Sequence, residues 1–293
     1  QGSLIDVEVL SRHDDGLVPP ARAAGASRRA APTPGAGRRL TPAGASLLAG
    51  RGDPLAWAFA ATGERRRGTG GRETLALSLG GEALFLKRYA GVGWGEIWKN
   101  WLQLKAPVLD ALTEWRRLGE LALLGLPAPE RLAAGRQGGT PARRRSFLLR
   151  RGRPGFAIED RLQEAPRPSA ALRRRWSAAL GAYLRALHGA GLAHRDLYLC
   201  HWFQQPDGRV ALLDWHRALK RRRLAARWLA KDLGALLASS RPYGVTPREI
   251  AAFLAAYHAA PPSLARRRHA GLWQAAATRA AALQARETRR LSR

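Results

Sequence analysis

The stretch that decides the fold is HRDLYLCHWF, residues 194–203, which is followed at residues 212–218 by LLDWHRA. Each segment carries one aspartate, Asp196 or Asp214, and His201 lies between them in the spacing D-x4-H-x12-D. Short apolar runs around this spacing predict a tight hairpin with both carboxylates on one edge. Two carboxylates so placed suit the binding of a metal–nucleotide for phosphoryl transfer. The alternative is a pair of turn-forming aspartates at strand ends.

Segments upstream supply the other groups that phosphoryl transfer requires. Residues 74–89, TLALSLGGEALFLKRY, read as two strands joined by a Gly-Gly turn, and this hairpin ends near Lys87. A helix with apolar periodicity is predicted over residues 107–125, and it carries Glu114. Lys87 is therefore a candidate to bind nucleotide phosphates, with Glu114 as its orienting partner. Glu114 also fits a surface pair with a neighbouring arginine.

The second half of the chain reads as mainly helical. Helices are predicted over residues 172–191, 227–240 and 245–260, and one more is predicted in the last 30 residues. The HRD motif follows the first of these helices, as a catalytic loop does, so Asp196 is the candidate base and Asp214 the candidate Mg²⁺ ligand. This order predicts an α+β, protein-kinase-like bilobal fold, with a β-rich N-lobe that has one main helix and an α-helical C-lobe.

Composition divides the chain into three parts. Residues 1–50 are rich in Pro, Gly, Ala and Arg without periodicity, which predicts a disordered extension. Residues 51–150 are predicted to form the kinase-like N-lobe, and residues 151–293 the C-lobe with the catalytic loop.

The chain is strongly basic, with 50 Lys and Arg residues against 22 acidic ones and a formal net charge of +28. Such a surface attracts anionic partners: nucleic acid, an anionic membrane or a phosphorylated glycolipid. Nucleic acid is the least favoured, because the arginine blocks are scattered and form no single stripe. One cysteine, Cys200, excludes a disulfide framework, and we expect it to be a small buried side chain. No apolar run reaches about 20 residues, so the expectation is a cytoplasmic protein, soluble or peripheral.

Residues 93–105, GWGEIWKNWLQLK, predict an amphipathic helix with tryptophans along one face and lysines elsewhere. Interfacial aromatics and cations suit a helix that lies on an anionic bilayer. The alternative is that the apolar stripe packs onto the N-lobe.

The motifs HRDLYLCHWF, LLDWHRA and RWLAKDL, with GWGEI-x-KN and RD-x-Y-x-CH, resemble the lipopolysaccharide core heptose(I) kinases, the WaaP/RfaP branch of the lipopolysaccharide kinase (Kdo/WaaP) family. The resemblance covers about residues 72–260. It implies ATP and Mg²⁺ as cofactors and transfer of the γ-phosphoryl group to a heptose in the inner core of the lipid A–core glycolipid. It also implies a peripheral protein on the cytoplasmic face of the bacterial inner membrane.

The same resemblance implies roles for individual residues. Asp196 is the catalytic base, Lys87 and Glu114 serve the nucleotide, and Asp214 holds the metal. Asp232 in the KDL motif, together with His194 and Arg195, supports the catalytic loop.

Several positions depart from the protein-kinase pattern. His201 stands where protein kinases have asparagine, so it is either a metal ligand, poorer than oxygen for Mg²⁺, or a hydrogen-bonded core histidine. The glycine-rich loop is reduced to GTGGRE, residues 68–73, so Arg67 or Arg72 is a candidate to cover the phosphates. The connector between the lobes is arginine-rich. These departures keep two alternatives open: a small-molecule phosphotransferase of the same fold, and a pseudokinase or regulatory envelope protein.

Overall fold

The computed structural model of the chain describes residues 37–69, 71–91, 111–138, 140, 143–152 and 154–292. The described residues divide into two compact units. The N-lobe contains those between 37 and 119 and between 129 and 153, and the C-lobe contains 120–128 and those from 154 onward. The predicted amphipathic helix at residues 93–105 lies outside the described residues.

The N-lobe is built on a six-stranded antiparallel sheet in the order β1-β5-β6-β4-β3-β2. The predicted hairpin is confirmed: β3 and β4 pair throughout, and Gly80 and Gly81 form the turn with φ of +60° and +79°. Two positive φ values in a two-residue turn are what a type I′ hairpin requires, and glycine adopts them without steric cost. The strands are β1 (Gly37–Leu40), β2 (Glu64–Thr69), β3 (Arg72–Leu79), β4 (Glu82–Tyr89), β5 (Arg131–Gln137) and β6 (Arg145–Arg151).

The N-lobe core lies under two short helices, α1 (Pro42–Leu47) and α2 (Pro54–Ala60). The prediction of disorder over residues 1–50 is wrong for residues 37–50. β1 pairs with β5, and the Thr41 N–H donates to the carbonyl of Leu132 at 3.0 Å. The buried side chains of this core include Leu55, Leu84, Leu86, Phe147 and Leu149.

Helix α3 (Leu112–Leu123) carries Glu114 in its first turn and ends as its sequence predicts. Gly125 has φ +65°, and its N–H donates to the Ala122 carbonyl, while the Leu126 N–H donates to Leu121, both at 3.0 Å. These two bonds form a Schellman motif, which satisfies carbonyls that the last turn leaves open. The predicted start of this helix at Pro107 lies outside the described residues.

The C-lobe is mainly helical, and α5 packs against α7 while α6 packs against α9. The predicted capping box is confirmed, because Thr246 and Glu249 each bond the other's backbone N–H. The predicted C-terminal helix is confirmed over Ala270–Leu291, but a break at His269, whose ψ of 28° leaves the helical range, separates it from a short helix before it. The helices are α4 (Ile158–Gln163), α5 (Ala170–Gly189), α6 (Ala226–Ser240), α7 (Pro247–His258), α8 (Pro262–Arg268) and α9 (Ala270–Leu291).

Short strands hold the catalytic segments of the C-lobe. One sheet has the order β10-β9-β7, and a two-stranded sheet pairs β11 with β8. The HRD segment leaves β8 and reaches a 3₁₀ turn at Leu199–His201, and a second 3₁₀ turn, Trp215–Arg217, follows Asp214. Among the described helices, none combines the length and the apolar character that crossing a membrane requires. The strands are β7 (Phe156–Ala157), β8 (Leu192–Ala193), β9 (Trp202–Gln204), β10 (Val210–Leu212) and β11 (Leu219–Lys220).

Candidate active site

The N-lobe contributes a buried ion pair between strand β4 and helix α3. The Lys87 ammonium lies 2.8 and 3.0 Å from the two carboxylate oxygens of Glu114. The Glu114 side chain is only 1% exposed and that of Lys87 12%, which rules out the alternative of a surface glutamate. A carboxylate that holds an ammonium from both oxygens fixes its position. The sequence therefore predicted this contact correctly.

The turn between β2 and β3 occupies the place of the glycine-rich loop. Gly71 in this turn has φ +76°, a conformation that suits glycine. The Arg72 guanidinium lies 6.0 Å from the centre of the Tyr89 ring on β4. The side chain of Arg67 lies outside the described residues, so Arg72 is the candidate phosphate-covering arginine that the structure describes.

The catalytic loop of the C-lobe is fastened by a buried carboxylate on α6. Asp232 is 0% exposed, and its two oxygens accept the backbone N–H groups of His194 and Arg195, each at 2.7 Å. Hydrogen bonds from amides to an ionised acceptor are among the stronger ones in proteins. Arg195 has φ +73°, a left-handed conformation that is uncommon for a side chain of this size. Asp232 thus holds the loop in a backbone shape that would not form readily by itself.

A second layer holds Asp232 in turn. The His188 Nε2 lies 3.4 Å from Asp232, and its Nδ1 lies 2.8 Å from the Tyr257 hydroxyl. Burial raises the pKa of Tyr257, which keeps the phenol protonated. Because a carboxylate only accepts, the Nε2 proton of His188 faces Asp232, and the Tyr257 O–H donates to Nδ1. His188 and Tyr257 could not be recognised from the sequence, since each is one of many residues on an apolar helical face.

The imidazole of His194 joins the HRD segment to the segment that carries Asp214. Its Nε2 donates to the Leu213 carbonyl at 2.8 Å, and its ring packs edge-on against Trp215 at 4.8 Å. Burial lowers the pKa of His194 from its ordinary value of 6.5, and the negative charge of Asp232 opposes this. A neutral imidazole suits this position, because the Leu213 carbonyl needs only one N–H donor.

Asp196 follows the strained Arg195 and presents its carboxylate to an arginine. The Arg217 Nη1 lies 3.2 Å from each of the two carboxylate oxygens. The side chain of Asp196 is 18% exposed, so the carboxylate stays accessible to a ligand. Arg217 was not predicted from the sequence, because it stands three residues after Asp214 in a chain with 50 basic residues. Only the fold distinguishes it from the others.

His201 brings Asp196 and Asp214 together. Its Nδ1 donates to the backbone carbonyl of Asp196 at 2.9 Å, and its Nε2 lies 3.9 Å from Asp214 Oδ2. Because a carbonyl only accepts, the Nδ1 of His201 carries a proton, and its Nε2 is the ring nitrogen that faces Asp214. Asp214 has φ +65°, and its other oxygen accepts from His216 Nδ1 at 2.7 Å. Left-handed backbone at a non-glycine residue costs energy and concentrates at functional sites.

The donor set around Asp214 fits a magnesium ion only in part. Within the described ranges, no group of three His, Cys, Asp or Glu side chains converges as a ready-made metal site. Mg²⁺ is commonly bound by one or two carboxylates, substrate phosphates and water. Asp214 and the Nε2 of His201 fit such a site, in which the nucleotide supplies the remaining oxygens.

Cys200 is exposed, so the expectation of a buried cysteine is wrong. The 3₁₀ turn at Leu199–His201 turns Leu199 into the core and Cys200 toward solvent. The apolar run that suggested burial is therefore a turn, in which consecutive side chains point in different directions.

Comparison with known proteins gives a family match over most of the folded chain. The model of the lipopolysaccharide kinase (Kdo/WaaP) family matches residues 59–257. The lipopolysaccharide core heptose(I) kinase WaaP of Pseudomonas aeruginosa is 35% identical over 232 residues, which cover 75% of this chain and 86% of that protein. A WaaP of the same description from Escherichia coli is 32% identical over 256 residues, covering 84% and 96%.

A solved structure described as WaaP in complex with acyl carrier protein superposes with a TM-score of 0.68. Its sequence is 30% identical, and the match covers 84% of this chain and 98% of that one. These comparisons confirm the resemblance that the HRD, LLD and KDL motifs indicated. They also confirm the kinase-like α+β fold predicted from the order of those motifs.

Proposed function

Because the chain belongs to the lipopolysaccharide kinase (Kdo/WaaP) family, we propose that it transfers the γ-phosphoryl group of ATP to a heptose of the lipopolysaccharide inner core. The curated relatives that it matches over most of their length are core heptose(I) kinases. The observation that carries the proposal is the braced loop in which Asp232 holds the two amides before Asp196. A loop fastened in this way presents a carboxylate in a fixed place, as a catalytic base requires.

In the proposed reaction Asp196 accepts the proton of the heptose hydroxyl as its oxygen bonds to the γ-phosphorus. The bond between that phosphorus and the bridging oxygen breaks, and ADP leaves. Each carboxylate oxygen of Asp196 has lone pairs beyond the one that faces Arg217, so a hydroxyl can share the carboxylate. Lys87, held by Glu114, supplies positive charge to the nucleotide phosphates.

Asp214 and His201 would hold Mg²⁺, with the proton on His201 Nδ1 fixed by the Asp196 carbonyl. The ion would neutralise charge on the phosphates when bound. Arg72 would add a second cation near the reduced glycine loop. The roles of Asp214 and His201 toward Mg²⁺ and of Arg72 toward the phosphates are part of the proposal. Each can be tested without knowing which sugar accepts the phosphate.

The expected place of action is the cytoplasmic face of the bacterial inner membrane, where the protein would bind as a peripheral protein. The formal charge of +28 supports this, because an anionic membrane surface attracts a basic protein. The acceptor, a lipid-anchored glycolipid, would lie on the same surface. Nucleic acid is not part of the proposal.

An acyl carrier protein is a second candidate partner. The support is the solved WaaP relative, which was captured in complex with an acyl carrier protein. The test is co-elution of the two purified proteins in size-exclusion chromatography. Separate elution at micromolar concentrations, with each protein folded, would argue against this partner without touching the kinase proposal.

The experiment that tests the proposed function is transfer of radiolabel from γ-labelled ATP with Mg²⁺ to lipopolysaccharide that lacks core phosphate. We expect label on the glycolipid with the wild-type protein, and a loss of about 100-fold or more in turnover with Asp196→Asn. Asp207→Asn is the matched control, since Asp207 lies on the exposed turn between β9 and β10. It should retain activity.

Two results would overturn the heptose kinase proposal, and a third would overturn only the role of Asp196. Label on a small sugar or drug but not on the glycolipid would favour the small-molecule phosphotransferase. No label with any acceptor, from a folded protein, would favour the pseudokinase. Equal activity in wild type and Asp196→Asn would remove Asp196 as the base.

A further inference from the structure

A cluster of cations surrounds Asp196 on the C-lobe, and the proposed phosphoryl transfer uses none of them. Arg195 comes from the catalytic loop, Arg217 from the turn after Asp214, Lys231 from α6 and Arg279 from α9. The four belong to separate segments of the chain, which the fold brings within reach of one another's charge. We call them the cation cluster.

The aromatic ring of Trp228 on α6 packs against residues of the cation cluster. The Arg195 guanidinium lies 5.2 Å from the centre of the Trp228 ring, and the Lys231 ammonium lies 5.9 Å from it. Arg195 also donates from Nη1 to the Arg217 carbonyl at 3.4 Å. The Arg279 stem lies against Gly234 of α6, where an added Cβ would meet its Cγ at 2.6 Å. Contacts with an aromatic face and with backbone hold these side chains in place but do not neutralise them.

The acidic groups nearby do not balance the cluster. Asp196 pairs with Arg217, and Asp232 is buried beneath the loop with both oxygens on amides. In the part of the chain that the structure describes, Lys231 and Arg279 form no ion pair with a carboxylate. Four half-buried cations around one accessible carboxylate leave an excess of positive charge, which an anion would offset.

The pKa shifts of two residues of the cation cluster, Lys231 and Arg195, agree with this geometry. The pKa of Lys231 is lowered, first by burial and then by the positive charges of Arg195, Arg217 and Arg279. The pKa of Arg195 is lowered by burial and by Arg217 in the same way. Repulsion among cations that the fold nonetheless gathers is typical of a site whose anion arrives with a ligand.

Resting on the proposed function, we propose that Arg195, Arg217, Lys231 and Arg279 bind an anionic group of the glycolipid acceptor, a carboxylate or a phosphate next to the accepting sugar. Arg217 contacts both this site and Asp196, so an anion held there would bring the neighbouring hydroxyl to the base. The cation cluster is therefore a specificity site for an acidic acceptor. Neutral sugars would lack the group that it binds.

The test compares Lys231→Gln and Arg279→Gln with wild type, because these two residues contact neither Asp196 nor Asp214 directly. Losing one charge-assisted contact should raise the KM for the glycolipid about tenfold or more, with kcat and the KM for ATP within about twofold. Arg286→Gln is the matched control on α9, where the side chain is exposed. It should leave the KM for the glycolipid unchanged. Two variants are used so that a folding defect in one does not decide the outcome.

Modified acceptors identify the source of the anion. In one preparation the sugar carboxylates are reduced to alcohols, and in another the phosphates are removed with hydrofluoric acid. With the preparation that lacks the recognised group, the KM of the wild-type protein should rise. The KM of Lys231→Gln, already raised by the substitution, should change little. If neither modification changes the wild-type KM, or if both variants match Arg286→Gln, the inference is overturned.

Glycolipid binding is measured in parallel by co-sedimentation without ATP. A wild-type protein that binds the glycolipid but transfers no phosphate contradicts the proposed function. The anion site is then still tested by the Kd for the glycolipid. This Kd should be about tenfold higher for Lys231→Gln and Arg279→Gln than for Arg286→Gln. An equal Kd for all three proteins overturns it.

Discussion

At the scale of single residues, the buried charged groups of this protein are fixed by hydrogen bonds from backbone amides and from a few specific side chains. Asp232 is fully buried, and among the described residues no arginine or lysine forms an ion pair with it; it bonds instead to two amides and an imidazole. The fixed geometry of amides makes this carboxylate a clamp for the loop. A mobile counter-ion would allow the loop more freedom.

Asp232→Asn should therefore destabilise the protein by about 3 kcal/mol and abolish most turnover. An asparagine has one acceptor oxygen where the aspartate has two, so at least one amide of the loop would lose its partner and face an NH₂ group. Urea unfolding of the mutant gives the free energy of unfolding. Asp207→Asn, on the exposed turn, is the control and should change it by less than about 0.5 kcal/mol. A neutral effect at Asp232 would contradict the clamp.

The Lys87–Glu114 pair predicts a rescue. Lys87→Met leaves a carboxylate that is 1% exposed without its ammonium, which should cost about 3 kcal/mol. Adding Glu114→Gln removes the buried charge and should recover most of that loss, although ATP binding stays weak. The double-mutant cycle, measured by chemical unfolding, should show strong coupling. Lys220→Met is the control, because its pair with Glu120 is far more accessible to solvent, with side chains 48% and 24% exposed, and it should show almost none.

At the scale of elements, helix α5 offers two glycines with opposite expectations. A Cβ at Gly181 would lie 2.5 Å from the Phe253 carbonyl oxygen of α7, whereas one at Gly189 would meet nothing within 4 Å. Gly181→Ala should lower the free energy of unfolding by about 2 kcal/mol, because α7 must shift. Gly189→Ala should raise it by up to about 1 kcal/mol through helix propensity. Thermal and urea unfolding of both variants measure the contrast, and equal effects would contradict this account of the α5–α7 packing.

The sequence allowed accurate prediction of those elements whose signals are local. The alternation of apolar residues and a Gly-Gly turn were enough to predict β3 and β4. Thr246 and Glu249 were enough to predict the start of α7. The strand β1 could not be predicted in this way, because four residues are ordered by pairing with β5, about 95 positions later. The division between α8 and α9 at His269 was not predicted either, although Gly271 stands two residues later; there His269 stacks on His258 of α7 at 4.1 Å, a contact that the local sequence does not reveal.

The candidate site shows the same limit. Asp196, Asp214 and Asp232 lie in motifs whose order carries information, so the sequence identified them. Arg217, Lys231 and Arg279 come within reach of one another's charge only because three segments meet, and nothing in their local sequence distinguishes them from the other basic residues. Spatial clusters of a common residue type become visible only in the fold.

At the scale of the whole molecule, the buried His194 and the partly buried His258 make stability depend on pH. Burial lowers the pKa of His194 from 6.5, and burial together with His269 lowers that of His258. Between the folded pKa and 6.5 the unfolded chain binds more protons, so stability rises with pH in that window. The contribution is complete above 6.5 and is lost as pH falls through the folded pKa.

We therefore expect the free energy of unfolding to be level near pH 7 to 8 and to decline below about pH 6.5. His258→Gln should reduce the slope of that decline, because it removes one group that the unfolded chain protonates. Urea unfolding at a series of pH values measures both slopes. An unchanged slope in the variant would mean that the stacked rings of His258 and His269, 4.1 Å apart, do not govern the acid response.

The exposed Cys200 gives this protein a built-in attachment point. It is the single cysteine of the chain and lies on the 3₁₀ turn beside His201, at the rim of the catalytic loop. A maleimide fluorophore would therefore label one position without any engineered substitution. Its emission would follow the environment of the loop in real time as nucleotide or glycolipid arrives, so one dye could separate the order of substrate binding from the phosphoryl transfer itself.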